Sequence, residues 1–137
     1  MIDQILIIIG ATIFGVLGFM HLVYTFFTNK FNACDENVTN AMKDTSPILT
    51  KETTMWRAWI GFNASHSLGA MLVPAFYVPL ALMDMAVIRE NVWFSILPVI
   101  IGFSYLVLAK KYWFKIPSLG ILISTVCFLG AALIINA

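Results

Sequence analysis

Four apolar runs, at about residues 5–27, 54–80, 92–109 and 117–135, dominate the chain, and three polar connections separate them. A run of this kind is long enough to cross roughly 30 Å of hydrocarbon as a helix rising about 1.5 Å per residue. Composition removes the alternative of a buried core in water. Of 137 residues, 61% are hydrophobic and only 11% are charged, whereas a soluble domain is about a quarter charged. So small a chain has no interior large enough to hide that much apolar surface. The expected fold is therefore all-α: one integral membrane domain, an antiparallel four-helix bundle, with a short interfacial helix on the cytoplasmic side.

The basic residues set the expected orientation. Lys30, Lys43, Lys51 and Arg57 flank the first connection, Lys110, Lys111 and Lys115 the third, and Arg89 alone marks the second. Seven of the eight then lie on one side, which the positive-inside rule makes cytoplasmic, with both termini on the outer side. The opening Met1-Ile2-Asp3-Gln4 has no basic segment of the signal-peptide kind, so the first run is expected to stay as a span. Cys34 and Cys127 match no paired-thiol motif. A net charge of +1 offers no basic patch for nucleic acid.

Within the first run, Ala11, Gly15 and Gly18 form a small-residue stripe of the type that lets helices approach closely in lipid, and His21 follows it. The polar segment 29–53 holds a candidate helix, residues 36–43, with Asp35 as its cap and Ser46-Pro47 as its break. The sequon Asn37-Val38-Thr39 falls on the expected cytoplasmic side and is discounted. Thr50 is a candidate cap for the second long helix, and Pro74 predicts a kink or an early end near Val73. Residues 84–91 read as a turn region. In the last run, Gly120, Ser124 and Cys127 form a small face.

Residues 54–69, TMWRAWIGFNASHSLG, concentrate the polar choices. At helical spacing Asn63, His66 and Ser67 share one face, and Gly61, Ser65 and Gly69 form an adjacent small stripe expected to pack on another span. Asn63 and His66 either hydrogen-bond across the bundle or line a pocket with His21, the other histidine of the chain. In the pocket reading, His21, Tyr24, Asn63, His66 and Ser67 would receive a quinone or other lipid-soluble ligand, or the two histidines a b-type haem. Trp56, Arg57 and Trp59, with Lys110, Lys111 and Lys115, are candidate contacts for lipid headgroups or a partner.

Several functions are disfavoured. No Asp or Glu falls inside the predicted spans, where proton-coupled exporters and membrane isomerases need an acid. Two histidines fall short of a hydrolytic zinc set, so no metal site is expected unless they hold haem. Neighbouring Ser65, His66 and Ser67 point to different helix faces, which separates nucleophile from base. No catalytic residue is assigned.

Residues 54–69, residues 108–120 (LAKKYWFKIPSLG) and His21 in GFMHLVY together resemble a family of small four-span bacterial membrane proteins with no assigned function. That resemblance implies an inner-membrane location and supplies no activity or cofactor. The expected role is non-enzymatic: an accessory or interaction subunit, with a protein partner or second copy on its small-residue faces. The alternative is a binder of a hydrophobic ligand between the first two spans.

Overall fold

The computed structural model describes residues Met1 to Ala137 as six helices without strands. They are α1 (Ile2–Phe27), α2 (Glu36–Asp44), α3 (Met55–Met83), α4 (Met85–Glu90), α5 (Val92–Tyr112) and α6 (Lys115–Asn136). Helices α1, α3, α5 and α6 are each long and apolar enough to cross a membrane.

The termini of these helices follow local chemistry. Asp35 caps α2, its carboxylate accepting from the Asn37 amide at 2.9 Å. Thr54, rather than Thr50, opens α3: its hydroxyl accepts from the Arg57 amide at 3.3 Å. Thr50 instead closes a turn onto the Glu52 amide at 3.1 Å. The expected turn at 84–91 contains the short helix α4, because Asp84 caps it through the Ala86 amide and Met85 and Ile88 are buried. Asn91 then caps α5 through the Trp93 amide at 3.0 Å.

Contacts divide the chain into two compact units, Met1–Leu17 with Ala70–Ala137, and Gly18–Gly69. The first unit holds the hydrophobic core. Ile7, Ala11 and Phe14 of α1 meet Ala70, Val73, Tyr77 and Ala81 of α3, Met85 and Ile88 of α4, Leu106 of α5, and Ile121, Phe128 and Ala131 of α6. Phe14 is the hub, edge-on to Tyr105 at 5.2 Å and tilted against Phe128 at 5.9 Å. Tyr77 enters this core because its hydroxyl has a partner, donating to the Phe94 carbonyl at 3.1 Å.

Glycines set the helix separations in this unit. A Cβ on Gly102 of α5 would lie 2.7 Å from Thr125 Oγ1 and 3.2 Å from its Cα, so α5 and α6 touch nearly backbone to backbone. Helix α3 does not stop near Val73, and Gly15 of α1 lies against its first proline. A Cβ there would sit 2.7 Å from Cγ of Pro74, so the missing side chain makes room for the proline ring. α3 runs on through Pro74 and Pro79 to Met83.

Asp3 is the ionic centre of this unit, paired with the Met1 ammonium at 2.7 Å and with Arg89. Helix α1 begins at Ile2, which puts Asp3 in its first turn, only 5% exposed. Arg89 of α4 reaches it with two prongs, Nε to Oδ2 at 2.8 Å and Nη2 to Oδ1 at 3.2 Å. The adjacent carboxylate raises the affinity of the Arg89 guanidinium for its proton further still.

In the second unit the turn after α1 and helix α2 are tied back by the Ala33 amide donating to the buried Thr39 hydroxyl at 3.1 Å. The Met55 amide donates to the Thr45 carbonyl at 2.9 Å, joining the end of α2 to the start of α3.

Candidate functional site

The polar interior of Gly18–Gly69 is built on two helices. The C-terminal part of α1 supplies His21, and the first half of α3 supplies Trp59, Asn63, His66 and Ser67. His21 Nε2 lies 3.0 Å from Asn63 Oδ1. The orientation of that amide is fixed from the other side, because Asn63 Nδ2 donates to the Trp59 carbonyl at 2.8 Å. The oxygen facing His21 is only an acceptor, so Nε2 carries the proton of this bond.

Aromatic contacts surround the pair. The His66 ring stands edge-on to His21, centroids 5.4 Å apart, so the two histidines of the chain converge. Phe31, from the turn after α1, tilts against His21 at 4.6 Å and stands edge-on to Trp59 at 6.3 Å. The Trp59 indole N–H donates to the Phe31 carbonyl at 3.1 Å, which holds that turn over the cluster.

The other candidates fall in distinct places. The Ser67 hydroxyl is fully buried and donates to the Asn63 carbonyl at 2.9 Å, so it braces the helix. The ring of Tyr24 lies under the ammonium of Lys30, 4.2 Å from its centroid. Trp56 is approached by Lys43 at 5.7 Å, and Arg57 is exposed. In the other unit Lys110, Lys111 and Lys115 are exposed around Tyr112 and Trp113, Lys111 lying 5.3 Å from the Tyr112 ring.

The stripe Gly61, Ser65 and Gly69 departs from expectation. Gly61 and Ser65 are exposed, and a Cβ on Gly61 would meet nothing within 4 Å. With Ala58 and Phe62 they line a shallow open groove of about 300 Å³ along α3. The buried face is the polar one that carries Asn63 and Ser67. In a helix with small residues on two faces, the hydrogen-bonding side chains turn inward because their unmet bonds cost more than exposed glycine does.

The chemistry open to this cluster is narrow. No group of three or more His, Cys, Asp or Glu side chains is placed to hold a metal ion. Coaxial haem ligation needs a porphyrin plane between opposed imidazoles. Here the two rings stand edge to face with centroids 5.4 Å apart, which leaves no room for a porphyrin plane between them, so the arrangement does not fit that group. What the cluster does offer is an interhelix hydrogen bond with a second imidazole beside it.

No family model matches the chain, and no curated protein or solved structure matches it.

Proposed function

We propose that this chain is a multi-pass integral membrane protein acting as a non-enzymatic accessory or interaction subunit. The observation that carries the reading is the low burial of its long helices. Their most apolar windows are only 28–33% buried within the chain, so most of that surface needs apolar neighbours from outside. An antiparallel bundle is supported by contacts in opposite chain order: Gln4 with Ala81 and Gly15 with Pro74 between α1 and α3, and Gly102 with Thr125 and Ser95 with Asn136 between α5 and α6. The distribution of basic residues supports an orientation with both termini outside, and the family resemblance implies a bacterial inner membrane.

The open groove at Ala58, Gly61 and Ser65 is the natural seat for a helix of a partner or a second copy, since small residues allow close backbone approach. Cysteine cross-linking tests it directly. With Cys34 and Cys127 replaced, Gly61→Cys is expected to form adducts in native membranes, at twice the monomer mass for a second copy. Leu122→Cys, also exposed, serves as the control on α6. Absence of any adduct specific to Gly61→Cys sinks the proposal. A reporter active only in the cytoplasm, fused after Ala137, is expected to stay silent.

A second reading rests on the convergence of His21 and His66. A lipid-soluble ligand with a hydroxyl or carbonyl head, such as a quinone, would find two imidazoles side by side among aromatic rings. Mass spectrometry of the organic extract from purified protein, compared with His66→Ala, tests it.

A further inference from the structure

The segment between α1 and α3 contains two of the most exposed aliphatic residues in the chain, side by side. Ile48 is 108% exposed and Leu49 94%, at a turn that follows Pro47. Neighbouring positions are polar: Lys43, Asp44, Thr45 and Ser46 before, Thr50, Lys51 and Glu52 after. The turn is not a loose tail. Asp35 caps the helix that leads into it, the Met55 amide holds Thr45, and Thr50 closes the next turn onto Glu52. A supported apex that shows two large aliphatic side chains needs an apolar phase to receive them.

We infer that Pro47-Ile48-Leu49 is a bilayer-insertion wedge, seated at the boundary between headgroups and acyl chains, and that it holds α2 against the membrane surface. The inference rests on the membrane-spanning reading above and goes beyond it by naming the inserted residues. Three observations select lipid as the occupant. Both ends of the segment are tethered to helices apolar enough to cross a membrane, so the apex samples the adjacent surface at high effective concentration. Those helix ends carry exposed apolar residues themselves, Phe26 and Phe27 on α1 and Met55 and Trp59 on α3, so the wedge continues an apolar rim. The flanking Lys43 and Lys51 are exposed and long enough to keep their ammonium groups among headgroups while Ile48 and Leu49 go deeper.

The test uses the full chain reconstituted in phosphatidylcholine vesicles. Single cysteines at Leu49→Cys, Glu52→Cys and Leu68→Cys, in a background of Cys34→Ser and Cys127→Ala, are labelled with an environment-sensitive fluorophore. The expected result is that lipid carrying a shallow spin label quenches the Leu49 label several-fold more than the Glu52 label, while aqueous iodide shows the opposite order. Iodide quenching of the Leu49 label equal to that at Glu52 overturns the wedge. A Leu49 label shielded from both quenchers also overturns it, in favour of a protein contact. The Leu68 label, on an exposed face of α3, reports on the span itself: if it too is quenched by iodide and not by lipid, the membrane-spanning reading fails along with the wedge.

Discussion

The imidazole of His21 and the amide of Asn63 meet at 3.0 Å, and the Trp59 carbonyl dictates which end of the amide is presented. The bond joins α1 to α3 and commits one proton of His21 to a structural task. Removing either partner leaves the other without its bond in a low-dielectric setting. His21→Phe and Asn63→Leu are each expected to destabilise the protein by about 1–2 kcal/mol, with a coupling of about 0.6–1.7 kcal/mol in the double-mutant cycle. Unfolding in mixed micelles measures this. Strict additivity would mean that the bond contributes nothing.

Glycine positions supply an internal contrast. Gly102→Ala places a methyl 3.2 Å from the Thr125 backbone, which has no rotamer to move away, so α5 and α6 must separate. A loss of about 1–3 kcal/mol is expected from such overpacking. Gly61→Ala meets open space and gains helix propensity, so it is expected to be neutral or stabilising by up to about 1 kcal/mol. If Gly61→Ala is stable in micelles yet weakens Gly61-dependent association in membranes, the cost belongs to a second molecule.

These two cases mark how much the sequence disclosed. The helices were legible because long apolar runs have few alternatives, and the polar face of α3 was legible from the spacing of Asn63, His66 and Ser67. The direction of the small stripe was not. In lipid both the packed and the outward face of a helix are apolar, so hydropathy carries no inside–outside contrast, and it does not reveal that Gly61 and Ser65 face away from the other spans of the chain. The close packing of Pro74 on Gly15 involves a residue of another helix, and the pairing of Asp3 with Arg89 joins distant parts of the chain. Periodicity has no access to either relationship.

Asp3 and Arg89 give a ranking. The carboxylate is 5% exposed and takes both prongs of the guanidinium. Arg89→Lys keeps the charge and loses the fork, whereas Arg89→Gln leaves the carboxylate only the N-terminal ammonium of Met1, 2.7 Å from Oδ1, as a cation. The melting temperature in detergent is expected to fall in the order wild type, Arg89→Lys, Arg89→Gln. Asp3→Asn combined with Arg89→Gln is expected to recover part of the loss, because the buried carboxylate that has lost its two-pronged partner has gone. Equal melting temperatures for Arg89→Lys and Arg89→Gln would show that the pair is a solvated contact.

Ser124 leads to a prediction of opposite sign. Its side chain is fully buried on α6, and its hydroxyl has no hydrogen-bond partner. Neighbouring Thr125 shows the usual solution, donating to the Ile121 carbonyl at 2.7 Å. An unmet buried hydroxyl costs about 1–3 kcal/mol relative to a satisfied one, and alanine at the site removes the cost without adding volume. Ser124→Ala is therefore expected to hold or raise stability by about 1 kcal/mol, against the usual loss for truncating a buried side chain. Ser124→Val would crowd the approach of α1, which is so close that a Cβ added to Gly10 would lie 3.1 Å from the Ser124 carbonyl oxygen, and is expected to destabilise. Unfolding of the two variants side by side decides the matter. A clear loss for Ser124→Ala would mean that the hydroxyl is bonded in the folded protein, and that its partner lies outside the contacts described above.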